Sequence, residues 1–230
     1  MKSKPNFTSQ FVNLFPEPIA VYSLPSDFHL EYKNILMSIV KDAPDKFRQK
    51  FPNEKYTSHI CNAPDQNILD NYKDLSGLKK FFHEIVINYI SNIGYLCEKI
   101  VITDAWLNNA SQNSSLGMHY HSNSFISGNY FINFNGDFHT PLTFLNDRIR
   151  TPNAPSITLP HNPKFQTIYN TKVLGPRAIE GQVLIWRSHL IHGYELVNKA
   201  DNRLTLSFNC MPKVCEVSGR YSFEVVDNSK

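Results

Sequence analysis

Asn202-Arg203-Leu204-Thr205-Leu206-Ser207-Phe208-Asn209 alternates apolar and polar side chains along its length. Side chains on a strand change faces with period two, so Leu204, Leu206 and Phe208 share one face, and Arg203, Thr205 and Ser207 share the other. Just upstream, Gly181-Gln182-Val183-Leu184-Ile185-Trp186-Arg187 reads as an apolar strand, and Ser188-His189-Leu190-Ile191-His192-Gly193 follows it. An arginine opening a strand on its polar face is placed to point into the interior of a β-barrel.

The same texture extends back to residue 98. Strands are expected over 99–108, 116–121, 126–134, 141–145, 182–187, 203–210 and 219–225, with Asn135-Gly136-Asp137 as a hairpin-type turn. Before residue 98 the periodicity is helical. Leu78, Phe81, Phe82, Ile85, Tyr89 and Ile93 recur at three- and four-residue steps, which predicts an amphipathic helix over 75–94. Residues 17–24 read as a first strand. A helix over 28–41 follows, with Ser26 or Asp27 as its cap. The stretch 147–180 is long and rich in Pro and Asn, as lids, binding loops and extra hairpins are. Helices followed by many short strands indicate an α+β fold with a double-sheet, jelly-roll core. One domain is expected over 1–230, mainly helical over 1–97 and jelly-roll over 98–226.

Composition excludes several classes. The chain has 230 residues, 41% of them apolar, and a formal net charge of +3, too small to imply nucleic-acid binding by itself. No basic stripe with interleaved aromatics is present. No run long and apolar enough for a transmembrane helix occurs, and no apolar stretch follows Met1-Lys2-Ser3-Lys4, so neither a membrane span nor a signal peptide is expected. Cys61, Cys97, Cys210 and Cys215 are scattered, which suits reduced thiols in a cytoplasmic compartment. The spacing of Cys210 and Cys215 has no matching second pair.

His119-Tyr120-His121 carries the chemistry. On a strand both imidazoles point the same way, roughly 7 Å apart at the backbone, which suits two ligands of one metal ion. Imidazole binds Zn, Fe, Cu and Ni, and three protein ligands leave positions open for substrate. His192, before Gly193, is favoured over His189 as the third ligand. His139 is expected to be exposed, and His29, His59, His83 and His161 lack ligand spacing.

Trp106-Leu107-Asn108, His119-Tyr120-His121, Ser127-Gly128-Asn129-Tyr130, His192-Gly193, Arg203-Leu204-Thr205 and Phe208-Asn209 follow one another in an order that resembles the 2-oxoglutarate/Fe(II) oxygenases. The nearest likeness is to the prolyl-hydroxylase-like family of phages and marine bacteria. It covers about residues 100–212, with a weaker echo at Leu14-Phe15-Pro16-Glu17-Pro18. It implies a double-stranded β-helix with N-terminal helices on its outer face, in the cytoplasm of a bacterial cell or phage-infected host. The implied cofactors are Fe(II) and 2-oxoglutarate, with ascorbate as reductant. The implied metal ligands are His119, His121 and His192. Arg203 would hold the distal carboxylate of 2-oxoglutarate through its planar guanidinium, helped by Thr205, Tyr130 and Asn108.

One departure stands out. The superfamily's usual motif is His-x-Asp, and His121 occupies the carboxylate position. Asn123 in a shifted register, or Asp137 or Asp147 swinging in, are the alternative ligands. The reaction implied is hydroxylation of a peptidyl or small-molecule substrate, with release of succinate and CO2. Two other readings stay open: a three-histidine oxygenase that uses no 2-oxo acid, and a non-catalytic jelly-roll metal-binding or interaction protein.

Overall fold

The computed structural model describes residues 10, 16–43, 67–146, 164–165, 167–194, 196–217 and 219–226, with the backbone of 48–49 and 57–60. Along the chain run β1 (Ala20–Ser23), α1 (Ser26–Asp42), β2 (Arg48–Gln49), β3 (Thr57–Ile60), α2 (Ile68–Asn71), α3 (Ser76–Asn92), β4 (Ile100–Ala110), β5 (Leu116–His119) and β6 (Ile126–Asn133). Then follow β7 (Thr143–Leu145), β8 (Val173–Leu174), β9 (Gln182–Arg187), β10 (His192–Tyr194), β11 (Arg203–Pro212), β12 (Val214–Val217) and β13 (Tyr221–Glu224). A large sheet has the order β1-β9-β6-β11-β4-β3-β2 and a small one the order β5-β10-β7-β8. Every pairing within the two sheets is antiparallel. The architecture is the expected double-stranded β-helix.

The alternation in β11 sorts its neighbours. Leu204, Leu206 and Phe208 face outward and join one apolar cluster with Ile126, Tyr130, Ile132, Val183 and Ile185 from the sheet. Tyr32, Leu36 and Ile39 of α1 and Leu78, Phe82, Val86 and Tyr89 of α3 cover them. Phe82 stacks on Phe208 at 4.5 Å between ring centres. A Cβ on Gly128 would run into the Phe208 ring, so the glycine after Ser127 makes the room this ring needs. Truncating a fully buried ring such as Phe82 costs about 3–5 kcal/mol, so this cluster fixes the sheet's outer face. A second cluster of Phe131, Phe134, Leu142, Phe144, Leu184 and Trp186 lies on the inner side of the large sheet.

Several boundaries differ from expectation. Helix α1 begins at Ser26, and no side-chain cap from Ser26 or Asp27 forms. Pro25 (φ −54°, ψ 143°) sets the entry and its carbonyl accepts from the His29 N–H at 2.8 Å. Asn135-Gly136-Asp137 does turn, but β6 and β7 do not pair; the turn carries the chain from the large sheet to the small one. Strand β13, expected over 219–225, pairs only with β12, in a hairpin outside both sheets. Strand β1 falls within the expected 17–24 and forms one edge of the large sheet, while β2 and β3, not expected, extend the other edge. Leu14 and Phe15, most of the 147–180 stretch with Asp147 and His161, and Cys61 lie outside the described residues. Among the described residues no helix is long and apolar enough to cross a membrane. Cys97, Cys210 and Cys215 are free thiols, with no pairing between the last two.

Candidate metal centre and acid pocket

Antiparallel pairing of β10 with β5 sets His192 directly opposite His119. The close approach depends on Gly193, since a Cβ there would lie 2.8 Å from the carbonyl oxygens of Leu116 and Gly117. Strand β5 ends at His119 rather than at 121. His121 instead lies past the strand's end, just before the turn at Ser122-Asn123, and its N–H donates to the Ser188 carbonyl at 3.0 Å. The bend does not separate the imidazoles. Ring centres are 5.2 Å apart for His119 and His121, 4.5 Å for His119 and His192, and 5.1 Å for His121 and His192. One nitrogen from each of the three lies within 4.8 Å of the others. That span is a little over twice a ~2.1 Å metal–nitrogen bond, so small rotations would close them on one ion.

The rings are prepared chemically as well. His119 and His192 each place Nδ1 2.8 Å from a main-chain carbonyl, of Gly117 and Leu190. A carbonyl only accepts, so both Nδ1 atoms carry the proton and Nε2 keeps its lone pair for a ligand bond. Burial, reinforced by the charge of His119, holds His121 down to about 4 and His192 down to about 3. Both are therefore neutral near pH 7, as ligating imidazoles must be. The carboxylate of Asp104, across the strand from Asn209, acts on His121 in the opposite sense.

The triad opens onto a cavity between the sheets, floored by the polar face of β11. Arg203, Thr205 and Ser207 line it together, as the alternation demands, with Asn108, Asn129, Asn209 and Tyr194. Arg203 is 1% exposed. Burial pulls its pKa down, partly countered by Tyr194. Its Nε–H donates to the Thr140 carbonyl at 3.0 Å, and its guanidinium lies over the Tyr194 ring. Asn198, fully buried, receives the Thr140 N–H at 3.1 Å and so fixes that carbonyl. Asn202, at φ 64°, makes the left-handed turn into β11, a conformation asparagine tolerates better than most residues. No carboxylate among the described residues forms an ion pair with Arg203.

Two further donors in the cavity lining lack partners among the described residues. Asn129 Nδ2 and Trp186 Nε1 are buried and make no hydrogen bond. Buried donors without acceptors cost about 1–3 kcal/mol each. An oxygen-rich anion entering this cavity would relieve both, and would neutralise Arg203.

Three sequence expectations need correcting. Tyr130 does not reach the cavity. Its partner in the alternation, Asn129, takes the inner face, and Tyr130 turns outward to meet α1, with its hydroxyl 2.6 Å from His29 Nδ1. Burial drives its pKa up. His139 is 6% exposed rather than solvent-facing; Nδ1 accepts from the Asn135 N–H and Nε2 lies 3.0 Å from the Asp201 carbonyl. Asn123 and Asp137, the alternatives to His121, are exposed and lie outside the cavity lining. Asn108 does line the cavity, but its amide is spent on protein: it accepts from Trp106 Nε1 at 3.0 Å and donates to Ser207 Oγ at 2.8 Å. His189, the rejected rival of His192, is largely exposed and approaches Glu17 at 3.8 Å. The sequence reading missed Asn129, Trp186, Tyr194 and Asn209. The period-two rule points to Asn129 and Asn209 once the strands are known, but Tyr194 and Trp186 require the packing of two sheets.

Residues 104–209, from β4 to β11, match the family model described as "Putative 2OG-Fe(II) oxygenase". The resemblance read from the motifs thus holds over the part of the chain that builds the cavity. No curated protein matches the chain in sequence. Solved structures share the fold at low identity. HygX from Streptomyces hygroscopicus, with nickel, 2-oxoglutarate and hygromycin B bound, has a TM-score of 0.53 and 10% identity, over 85% of this chain and 83% of its own. A Pseudomonas putida prolyl-4-hydroxylase has a TM-score of 0.52 and 11% identity, over 84% and 92%. The epimerase SnoN, in complex with Fe3+, alpha ketoglutarate and nogalamycin RO, reaches a TM-score of 0.61 at 8% identity, over 92% and 90%.

Proposed function

We propose that this protein is an Fe(II)- and 2-oxoglutarate-dependent dioxygenase that hydroxylates a peptidyl or small-molecule substrate. The observation that carries the reading is Arg203. A fully buried guanidinium with no carboxylate partner among the described residues faces the same cavity as a three-histidine cluster. A buried charge persists at such a cost only when something pairs with it, and a bidentate carboxylate is its best partner. An acid anchored at Arg203 would reach from there toward the triad.

His119, His121 and His192 would hold the iron. With 2-oxoglutarate bound, iron would supply an O2-dependent oxidation that puts one oxygen atom into the substrate and the other into succinate, with CO2 released. The chain's own part is placement. Arg203 and Thr205 take the distal carboxylate. Asn108 keeps the Thr205 and Ser207 hydroxyls in place, at 3.5 and 2.8 Å. Asn129 and Trp186 offer donors along the wall. Three neutral ligands leave more positive charge at the centre than two histidines and a carboxylate would, which favours a doubly charged acid.

The histidine in place of a carboxylate supports a second reading, a three-histidine oxygenase that uses no 2-oxo acid. One experiment separates them. Anaerobic protein with Fe(II) is titrated with 2-oxoglutarate and watched for the weak visible charge-transfer band of the chelate. The band, saturating with the acid, is the expected result. Iron binding without any response to the acid would favour the second reading, and no iron binding would remove both.

A further inference from the structure

His121 differs from its two companions in what holds its outer nitrogen. His119 and His192 lean on main-chain carbonyls, which can only accept. Nδ1 of His121 faces a side chain, with the amide nitrogen of Asn209 3.2 Å away. An amide N–H donates, so in this arrangement Nδ1 is the acceptor and the proton sits on Nε2. That is the wrong tautomer for a metal bond through Nε2.

Asn209 is held from behind by a buried chain of hydroxyls. Ser127 Oγ donates to Asn209 Oδ1 at 2.9 Å and lies 2.8 Å from Ser188 Oγ. Ser188 Oγ donates to Ser124 Oγ at 2.9 Å. Ser124 ends the chain on the carbonyls of Ile126 at 2.8 Å and Cys210 at 3.2 Å. Asn209 is 4% exposed, and Ser127 and Ser188 1% each, so solvent does not readily replace a member.

We infer that Asn209 is a positioning residue that sets the tautomer of His121, and that the Ser127–Ser188–Ser124 chain lets its amide turn over when a metal binds. The inference rests on the three-histidine reading above. Turning the amide by half a circle exchanges its oxygen and nitrogen with little change of shape. Oδ1 then accepts the Nδ1–H of His121, and Nδ2 donates to Ser127 Oγ. Ser127 redirects its own proton to Ser188, which already donates to Ser124, and the chain still ends on carbonyls. Every hydroxyl donates in both arrangements, but in the first three protons serve four links and the Ser127–Ser188 contact carries none, whereas in the turned one the amide supplies the fourth. The Asn209–Ser127 link reverses and the Ser127–Ser188 link gains a proton, and with them changes the nitrogen of His121 that is free to bind. His119 and His192 are therefore fixed ligands and His121 a conditional one.

The test uses full-length protein, Zn(II) as a diamagnetic stand-in for NMR, and Fe(II) for affinity. In the Zn(II) form of the wild type, long-range 1H–15N spectra should show His121 protonated at Nδ1. A proton on Nε2 would overturn the inference without any variant being made. For affinity, Asn209→Leu removes the acceptor and should weaken Fe(II) binding about 10–100-fold, the usual effect of losing such a partner. Asn209→Asp, which can only accept, should bind at least as tightly as wild type. If Asn209 merely fills space, both variants would be equally impaired or equally unaffected, and either result overturns the inference. Wild-type protein that takes up no metal overturns the three-histidine site itself, a result distinct from a bound metal with the wrong tautomer.

Discussion

The guanidinium carbon of Arg203 lies 4.3 Å from the centre of the Tyr194 ring. Tyr194 ends the short strand that His192 begins, so one strand of the small sheet touches both the triad and the buried cation. The ring's negative face steadies the charge, by about 2 kcal/mol in a desolvated setting. It does not replace a counter-ion. Arg203 is thus a group whose stability and function oppose one another.

Replacing Arg203 should expose that opposition. Arg203→Met fills similar space without a buried charge, so the ligand-free protein should gain about 1–3 kcal/mol, a few degrees in Tm. The same variant and Arg203→Ala should bind 2-oxoglutarate about 30- to several-thousand-fold more weakly, for a loss of ~2–5 kcal/mol. Iron content should not change, since the guanidinium is not a ligand. Arg203→Lys should recover only part of the binding, because an ammonium lacks the two-pronged geometry. Calorimetric titration with the acid decides it; equal binding by wild type and Arg203→Ala removes this role.

Tyr130, on the neighbouring strand β6, provides a control from the opposite face of the large sheet. Tyr130→Phe loses the hydrogen bond to His29 and should cost about 1 kcal/mol of stability. The affinity for 2-oxoglutarate should stay at the wild-type value. A weakened titration would mean that the tyrosine reaches the cavity after all.

His121→Asp restores the carboxylate common in the superfamily and should retain iron. His121→Ala should lose most of it, and His119→Ala or His192→Ala likewise. Metal analysis after dialysis reads the outcome. Iron retained near one equivalent in both His121 variants would show that this residue is no ligand.

Low pH should destabilise the metal-free protein through the triad. His121 and His192 sit at about 4 and 3 when folded, chiefly through burial, against about 6.5 when unfolded. Below pH 6.5 the unfolded chain takes up protons that the folded one refuses. The stability these two contribute is therefore complete above 6.5 and is lost as pH falls toward 4 and 3. The slope reaches about 1.4 kcal/mol per pH unit for His192, and less for the more exposed His121. Urea midpoints at pH 7, 5.5 and 4.5 should fall more steeply for wild type than for His192→Asn. Parallel profiles would show that His192 is not held neutral by the fold.

Much of the molecule was legible from two periods. The three- and four-residue steps of Leu78, Phe82, Ile85 and Tyr89 mark α3 within two residues at either end. The alternation from Arg203 to Asn209 sorts β11 into a helix-facing side and a cavity-facing side, because a strand has only two faces. The order of His119, His121, His192 and Arg203 gave the site its candidates. The same rule separates Asn129 from Tyr130 but does not choose between them; the pairing of Asn129 with Ser207 and of Tyr130 with Leu206 puts Asn129 on the cavity side.

What the sequence by itself determined was local: element type, which residues share a face, and which side chains have the chemistry to bind metal or acid. What only the tertiary structure decided was partnership. His121 stays beside His119 although its strand has ended, because its backbone is tied to Ser188. His139 is buried, because its two ring nitrogens find main-chain partners at Asn135 and Asp201. Tyr194 lies under Arg203, and Asn209 against His121, only once two sheets have closed over one another. Periodicity fixes the direction of a side chain relative to its own strand; the group it meets belongs to a strand far away in sequence, and packing selects it.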